Sequence, residues 1–488
     1  MTDFDWKRIS DPVHGTIGLS ELEVRVISSR AFQRLRNIKQ LGLVHYVFPS
    51  ADYSRFSHSI GVCNVTGRIL SALQQNTGRK ISEREIQCYR LAGLLHDIGH
   101  YPFSHPMEVA VEDHYKNELM VKKGSQSDSP KPTAAASDIG RIISSFNHER
   151  VGKEILTADP ELSKLLLDSR VEPRRIYSIF IQEEEHPRFA NLVNSDLDAD
   201  RIDYLLRTAH HTGLPYGSVD LDYLLSQIRV DGANRICLTA KALRTVDHFL
   251  LSRYFDYQQV EFHKTVVGLE LVLKDVLKAL LQHGVIECSP EWVMKAVKEG
   301  TWYGFDDLHI WSKIREFYGT LGPGPLKTKI QAVLERTPPK LVGEIEFVGD
   351  RDRSTIRSHQ LQKQVLRGAK EKWANEFNMD PELWYIWDQS MALTKMGSSL
   401  PVSATVEPNL EDKEEYEKLV KIQSTTGSTS APIVEVQQSL MYILANYALY
   451  TIRLYVLFPS DLPGDKDTKL RKDIMDRIKE SQPDMEWK

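Results

Sequence analysis

LAGLLHDIGHYPFSH, residues 91–105, is the stretch on which the reading of this chain turns. An apolar, helix-like run ends abruptly in the adjacent pair His96–Asp97. Gly99 and Pro102 then bend the chain, and His100 and His105 follow. Adjacent His and Asp side chains can both ligate one ion. An imidazole nitrogen with a carboxylate oxygen suits Mn, Fe, Ni, Co or Zn better than the all-oxygen cages of Mg or Ca. A His–Asp pair alone occurs often by chance, so its weight comes from context. YSRFSHSIGV (53–62) offers His58 just before a helix with small residues, and DLDADRIDYLLRTAHHTG (196–213) offers Asp200. Asp196, Asp198, Asp200 and Asp203 would repel one another there unless a cation compensates. A solvated acidic helix face is the alternative.

Working outward, a chain of 488 residues with 41% hydrophobic and 26% charged residues is an ordinary globular composition, with material for one large domain and appended lobes. No uninterrupted apolar run approaches about 18 residues, so no membrane span is expected. MTDFDWKRIS has no apolar signal region. Cys63, Cys88, Cys237 and Cys288 are scattered and form no CxxC, which suits a reducing cytoplasm and argues against a zinc ribbon or a disulfide framework. A net charge of -5 excludes a general nucleic-acid coat and leaves room for a local phosphate pocket.

Helix-type spacing runs over 31–41, with Phe32, Leu35, Ile38 and Leu41 on one face, and over 59–74 and 82–96, the last opened by a Ser82/Glu85 capping box. It resumes over 147–156, 189–211 and 241–283. Residues 123–138 (KGSQSDSPKPTAAASD) read as a surface insertion. Residues 340–347 and 450–457 read as strands, and 398–432 as a long loop with a short helix. The fold class is therefore mainly α, a helical body with a smaller mixed α/β C-terminal lobe. We expect a catalytic domain over 1–335, with an insert at about 112–146, and a lobe over 336–488 that serves assembly.

SDPVHGTI, FQRLRNIKQLG, VFPSADYSRFSHSIGV, AGLLHDIGHYPFSH, NHE and DADRIDYLLRTAHHTG occur in that order. Together they resemble the HD superfamily of metal-dependent phosphohydrolases. The branch is the one containing bacterial dGTP triphosphohydrolases and the vertebrate SAM-and-HD-domain dNTP triphosphohydrolase. The resemblance covers residues 7–270. It implies the HD-domain helical fold and a single transition-metal ion held by His58, His96, Asp97 and Asp200, with Mg accompanying a substrate triphosphate. It also implies His105 as the acid that protonates a leaving 5′ oxygen, supported by Glu108 and His148. His100 is read either as catalytic or as orienting a ligand. Arg55, Arg201 and Arg253 would contact phosphate, the guanidinium fork matching its oxygens. Gln40, Leu41 and Tyr204 would lie against sugar and base, with helix packing as the alternative for Leu41 and Tyr204. Lys7, Gln33 and Arg36 match positions that bind an activating nucleotide between subunits, and a dimer or tetramer is implied.

Three positions depart from that pattern. Thr208 stands where an aspartate binding the 3′-hydroxyl is expected, Glu261 where a sugar-stacking tyrosine is expected, and Ser28 where a guanine-reading aspartate is expected. The leading expectation is hydrolysis of a (deoxy)nucleoside triphosphate to nucleoside and tripolyphosphate. The alternatives are a phosphodiesterase or nuclease acting on single-stranded nucleic acid or a small nucleotide signal, and a nucleotide-sensing assembly protein.

Overall fold

The computed structural model describes residues 6–124, 147–181, 189–193, 195–393, 416, 418–423, 429–459 and 464–488. The protein is mainly α-helical, with a mixed α/β C-terminal region. The expected insertion at 123–138 falls, from residue 125 on, outside the described residues. Among the described residues no helix is long and apolar enough to cross a membrane.

An N-terminal hairpin, β1 (Lys7–Asp11) and β2 (Gly15–Leu19), leads to the helices that build the site. These are α1 (Arg55–Thr77), α2 (Glu83–Leu95), α3 (His105–Gly124), α4 (His148–Ala158) and α5 (Ala199–Thr212). α1 is buried along much of its length and packs against both α2 and α5. Its end is set by Gly78, whose left-handed backbone (φ 66°) stops the helix. Ser82 caps α2, accepting from the Glu85 amide as the capping-box spacing predicts. α6 (Leu243–Asp256) runs into a π-helical turn, Tyr257–Glu261, before α7 (Lys264–Gln282) begins under the His263 cap. α7 packs against α3 and against α8 (Pro325–Leu334), and also meets the C-terminal sheet.

That sheet has the order β5 (Lys340–Asp350), β9 (Tyr447–Val456), β6 (Trp384–Ala392), all antiparallel. The central strand β9 is buried on both faces, because alternate residues point opposite ways. Tyr455 joins the main core. Ile452, Leu454 and Val456 join a second core with Leu366 and Trp373 of α9 (Arg353–Glu376).

Four expectations are corrected in detail. Residues 31–41 do not form one helix. An α-turn (Arg30–Gln33) passes into a 3-10 turn (Arg34–Asn37), and Ile38 is extended. Lys39 then bridges Ser54 and gives its amide to Asp307, which takes the backbone bonds a helix would need. The 189–211 helix is a 3-10 turn at 190–192 and then α5, started by Asp198, whose carboxylate accepts from the Arg201 amide at 2.7 Å. The 241–283 stretch is broken at the π-turn. Within 398–432, β7 (Lys421–Gln423) and β8 (Ser430–Pro432) are strands, joined to β3 (Ile228–Val230) and β4 (Ile236–Thr239) in one sheet. Strands of three or four residues paired across roughly 180 residues of sequence leave no local period to read.

Gly99 lies where a methyl group would run into the His148 carbonyl and the Gly152 amide. Backbone of α4 cannot yield as a flexible side chain would. Gly99→Ala is expected to cost about 1–3 kcal/mol, the range for overpacking. A melting temperature unchanged from the wild type would contradict this packing.

Candidate metal centre and cavity

α1, α2 and α5 bring the four expected ligands together. His58 lies in the first turn of α1, His96 and Asp97 follow the end of α2, and Asp200 lies in the first turn of α5. His58, His96 and Asp97 each offer a ligand atom within 4.8 Å of the others. Asp200 Oδ1 stands 3.0 Å from His58 Nε2 and 3.7 Å from His96 Nε2. Its carboxylate is 31% exposed, against 0% for His58 and 6% for Asp97, so it is the ligand that faces the cavity most openly.

The donor set fits a divalent transition metal. Both His58 Nε2 and His96 Nε2 are buried and make no hydrogen bond, as expected of ligand nitrogens. Burial lowers the pKa of His96, but Asp97 and Asp200 outweigh it and raise the group to about 9. Burial likewise opposes ionisation of Asp97. Arg55, His96 and His100 nevertheless hold it well below the carboxylate range. Two carboxylates and two imidazoles thus form an electronegative pocket that a cation would neutralise.

The other faces of the ligands are held by protein. His58 Nδ1 meets Asp203 Oδ2 at 2.8 Å, and His96 Nδ1 donates to the Gly93 carbonyl at 2.9 Å. Such partners orient ligating imidazoles and fix their tautomer. Asp203 also bonds His14 Nε2 at 2.6 Å and receives Arg207 Nε and Nη2, each at 2.9 Å. Arg55 Nη1 grips Asp97 Oδ2 at 2.5 Å, and its Nε donates to Ser104 Oγ.

His96, Asp97 and Asp200 open onto a cavity of about 460 Å³, with His58 buried behind them. Around the metal end lie Arg55, His100, His105, His148, Glu149 and Arg201. His100 stacks on His148 at 3.7 Å between centroids, and its Nε2 lies 3.2 Å from Asp97 Oδ1. Asp97, His100 and His148 are a second group whose ligand atoms lie within 4.8 Å of one another. The His105 side chain is 74% exposed, with Nδ1 3.5 Å from Glu108 Oε2. Glu108 Oε1 also accepts from the His148 amide at 3.0 Å. Burial raises the pKa of Glu108, but its bonds to His105 and His148 reverse that, and the group stays ionised well below the carboxylate range.

The far end is lined by Gln40, Leu41, Tyr204, Tyr257, Glu261 and Glu270, with Phe262 and Trp387 beside them. Arg201 is held by Asp198 and the Ser195 carbonyl while still lining the cavity. Arg253 is placed differently. It is buried beside Asp196, donating to its carbonyl at 2.7 Å, and it is not among the lining residues. Gln33 and Arg36 sit together, Arg36 Nε donating to Gln33 Oε1 at 2.7 Å, whereas Lys7 is exposed on β1.

Sequence reasoning missed four contributors. Asp203 and Arg207 were legible as an i,i+4 pair on α5; His14 lies within the SDPVHGTI word but its partner does not show there, and nothing local pointed to Trp387. The acidic run was also misjudged. Asp198 is a helix cap, Asp196 meets Arg253 and Asp203 meets Arg207, so only Asp200 faces the metal cluster.

Two predictions follow from this geometry. Asp203→Asn removes the charge that orients His58 and should weaken Mn(II) binding about 10–100-fold. Unchanged affinity in a metal titration would refute that role. Burial and then Glu261 raise the Glu270 pKa from 4.5 to about 8. An acid with a raised folded-state pKa costs stability as it ionises, so its contribution declines as pH rises from about 4.5 through 8. Glu270→Gln should therefore gain in melting temperature relative to wild type with rising pH, and parallel curves would count against it.

Residues 55–207 match the HD domain family. The chain is 30% identical over 274 residues to the uncharacterised protein YwfO of Bacillus subtilis, aligning over 56% of this chain and 55% of that one. It is 32% identical over 292 residues to the deoxynucleoside triphosphate triphosphohydrolase SAMHD1 of Homo sapiens, over 56% of this chain and 44% of that one. The match thus spans about half the length of these curated relatives. The fold is shared with a hypothetical protein from Aquifex aeolicus, at TM-score 0.65 and 23% identity, covering 97% of this chain and 99% of that one. A phosphohydrolase from Bacteroides thetaiotaomicron has the same fold, at TM-score 0.63 and 22% identity, covering 92% and 99%. With the His–Asp cluster seated on its helices, the segment 55–207 is that of an HD domain.

Proposed function

We propose that this protein is a metal-dependent (deoxy)nucleoside triphosphate triphosphohydrolase that releases nucleoside and tripolyphosphate. The observation that carries the reading is one cavity joining three features. The four-ligand cluster lies beside cationic and imidazole side chains, and the opposite end is aromatic and hydrogen-bonding.

A bound divalent ion would supply polarisation of a phosphate oxygen and a more acidic water. The chain's own residues do the rest. A water oxygen bonds to the α-phosphorus, the bond from that phosphorus to the 5′ oxygen breaks, and the leaving oxygen takes a proton. His105, exposed at the cavity and braced by Glu108, is the assigned donor of that proton. Imidazole suits the task because its ordinary pKa lies near neutral pH. Glu108 binds His148 as well, so one carboxylate positions two imidazoles beside the reacting phosphate. Arg55 and Arg201 use only part of their five-donor guanidinium sets on Asp97, Ser104, Asp198 and Ser195. Their remaining N–H groups serve phosphate oxygens. Arg253 acts from behind the wall through Asp196.

Residues 1–335 are proposed as the catalytic domain, and 336–488 as a lobe serving assembly into a dimer or tetramer that also lends Trp387 to the cavity. A nucleotide activator would meet the chain at Lys7, Gln33 and Arg36.

Metal-loaded protein incubated with single nucleotides and with nucleotide mixtures should release nucleoside and tripolyphosphate, and release from none of them would end the proposal. Asp200→Ala should lose metal and turnover together while remaining folded. His105→Ala should keep its metal and lose about 10²–10⁴-fold in rate, the usual worth of a general acid. Turnover surviving Asp200→Ala would contradict the metal site.

A further inference from the structure

We propose that the cavity end away from the metal cluster binds the cis-diol of a ribose, and that Glu261 decides in favour of ribonucleotides over 2′-deoxyribonucleotides. This rests on the nucleotide reading above and fixes its sugar.

Tyr204 lies one helical turn beyond Asp200 on α5, so the wall it shares with Gln40, Glu261 and Glu270 adjoins the metal cluster. In a 5′-triphosphate cleaved next to the sugar, the sugar occupies this neighbouring position. Two polar atoms there are buried without a hydrogen-bond partner among the described residues, Gln40 Oε1 and the Tyr204 hydroxyl. Buried groups of this kind cost free energy until something bonds them. Sugar hydroxyls, each donor and acceptor, answer both.

Glu261 makes the choice between sugars. It ends the π-helical turn Tyr257–Glu261, which delivers both residues to the cavity. Single π-turns of this kind inside helices recur at functional sites. A carboxyl group presents two oxygens to the cavity, and these match the paired hydroxyls of a ribose, as in acidic residues that read ribose in dinucleotide sites. A 2′-deoxyribose offers one hydroxyl where two are wanted. Thr208 does not compete for the sugar, because its hydroxyl is buried and bonded to Tyr53 at 2.8 Å. Glu270, pushed up to about 8 by burial and by Glu261, is a neutral acid at pH 7 and supplies a donor beside that carboxylate.

The test compares ATP with dATP and GTP with dGTP on the metal-loaded full chain, reading tripolyphosphate release. We expect kcat/KM to favour the ribose form by about tenfold or more, the worth of one hydrogen bond to a charged group. Glu261→Leu should collapse the ribose-to-deoxyribose ratio by that factor with metal content unchanged. If that variant fails to fold, Glu261→Gln, which keeps the shape and one acceptor, should lower the ratio by a smaller factor. Adenosine against 2′-deoxyadenosine in calorimetry gives a readout free of turnover, with adenosine the tighter. Turnover of both sugars with the deoxy form equal or better overturns the inference and leaves the hydrolase reading standing. Release from neither sugar overturns the hydrolase reading itself.

Discussion

A carboxylate with no exposure to water, Asp203, carries the architecture of the site. Three side chains make four contacts with it: His58, His14, and Arg207 through two of its nitrogens. Arg207 in turn reaches Asp11 at 2.9 Å, so the N-terminal hairpin, α1 and α5 are tied at one point. Burying such charges is costly unless each is paired and hydrogen-bonded. Here Arg207 and the two imidazoles hold Asp203 ionised, well below the carboxylate range, against the effect of burial. The network needs space, and Gly61 on α1 provides it: a methyl group there would overlap the Asp203 carboxylate and the Arg207 guanidinium. With Nδ1 committed to Asp203, His58 presents Nε2 toward Asp97 and Asp200.

The opposite end of the cavity depends on a different part of the chain. Arg453 Nη1 donates to the Phe262 carbonyl at 2.5 Å, and the Tyr455 hydroxyl to that of Lys264 at 3.0 Å. Both come from β9, and both clamp the break between α6 and α7 immediately after the π-turn that carries Glu261. Trp387 of β6 lines the cavity and meets Phe262 at 5.4 Å between centroids. The metal end is therefore built by helices of the HD segment, while the far end is braced by a sheet from the last third of the chain. Substitutions in that sheet bear on the far wall of the cavity without touching the proposed metal ligands.

The electrostatics divide in the same way. Next to the metal cluster, Arg55 and the imidazoles hold Asp97 and Glu108 ionised despite burial. Farther along, burial and carboxylate neighbours push Glu270 and Asp256 upward. One cavity thus presents ionised groups where a cation and phosphates would sit, and a protonated acid where neutral hydroxyls would.

The amino-acid sequence by itself determined the helical class, the placement of His58, His96, Asp97 and Asp200 at helix ends and first turns, and two of the three strands of the C-terminal sheet, β6 being missed. Those features rest on local causes: apolar spacing, the Ser82 cap, the bend after His96–Asp97, and alternation along 450–457. Only the tertiary structure decided the rest. The expected 31–41 helix yields to bonds from Asp306 and Asp307, some 270 residues away, and that turn puts Gln40 and Leu41 on the cavity wall. The acidic run at 196–203 looks uniformly repulsive in one dimension, yet three of its members meet arginines or cap a helix in the fold. Arg253 reads as a phosphate ligand in sequence and is turned to Asp196 in space. His14 and Trp387 gain their roles from what packs beside them, because pairings across more than 120 residues leave no trace in local periodicity.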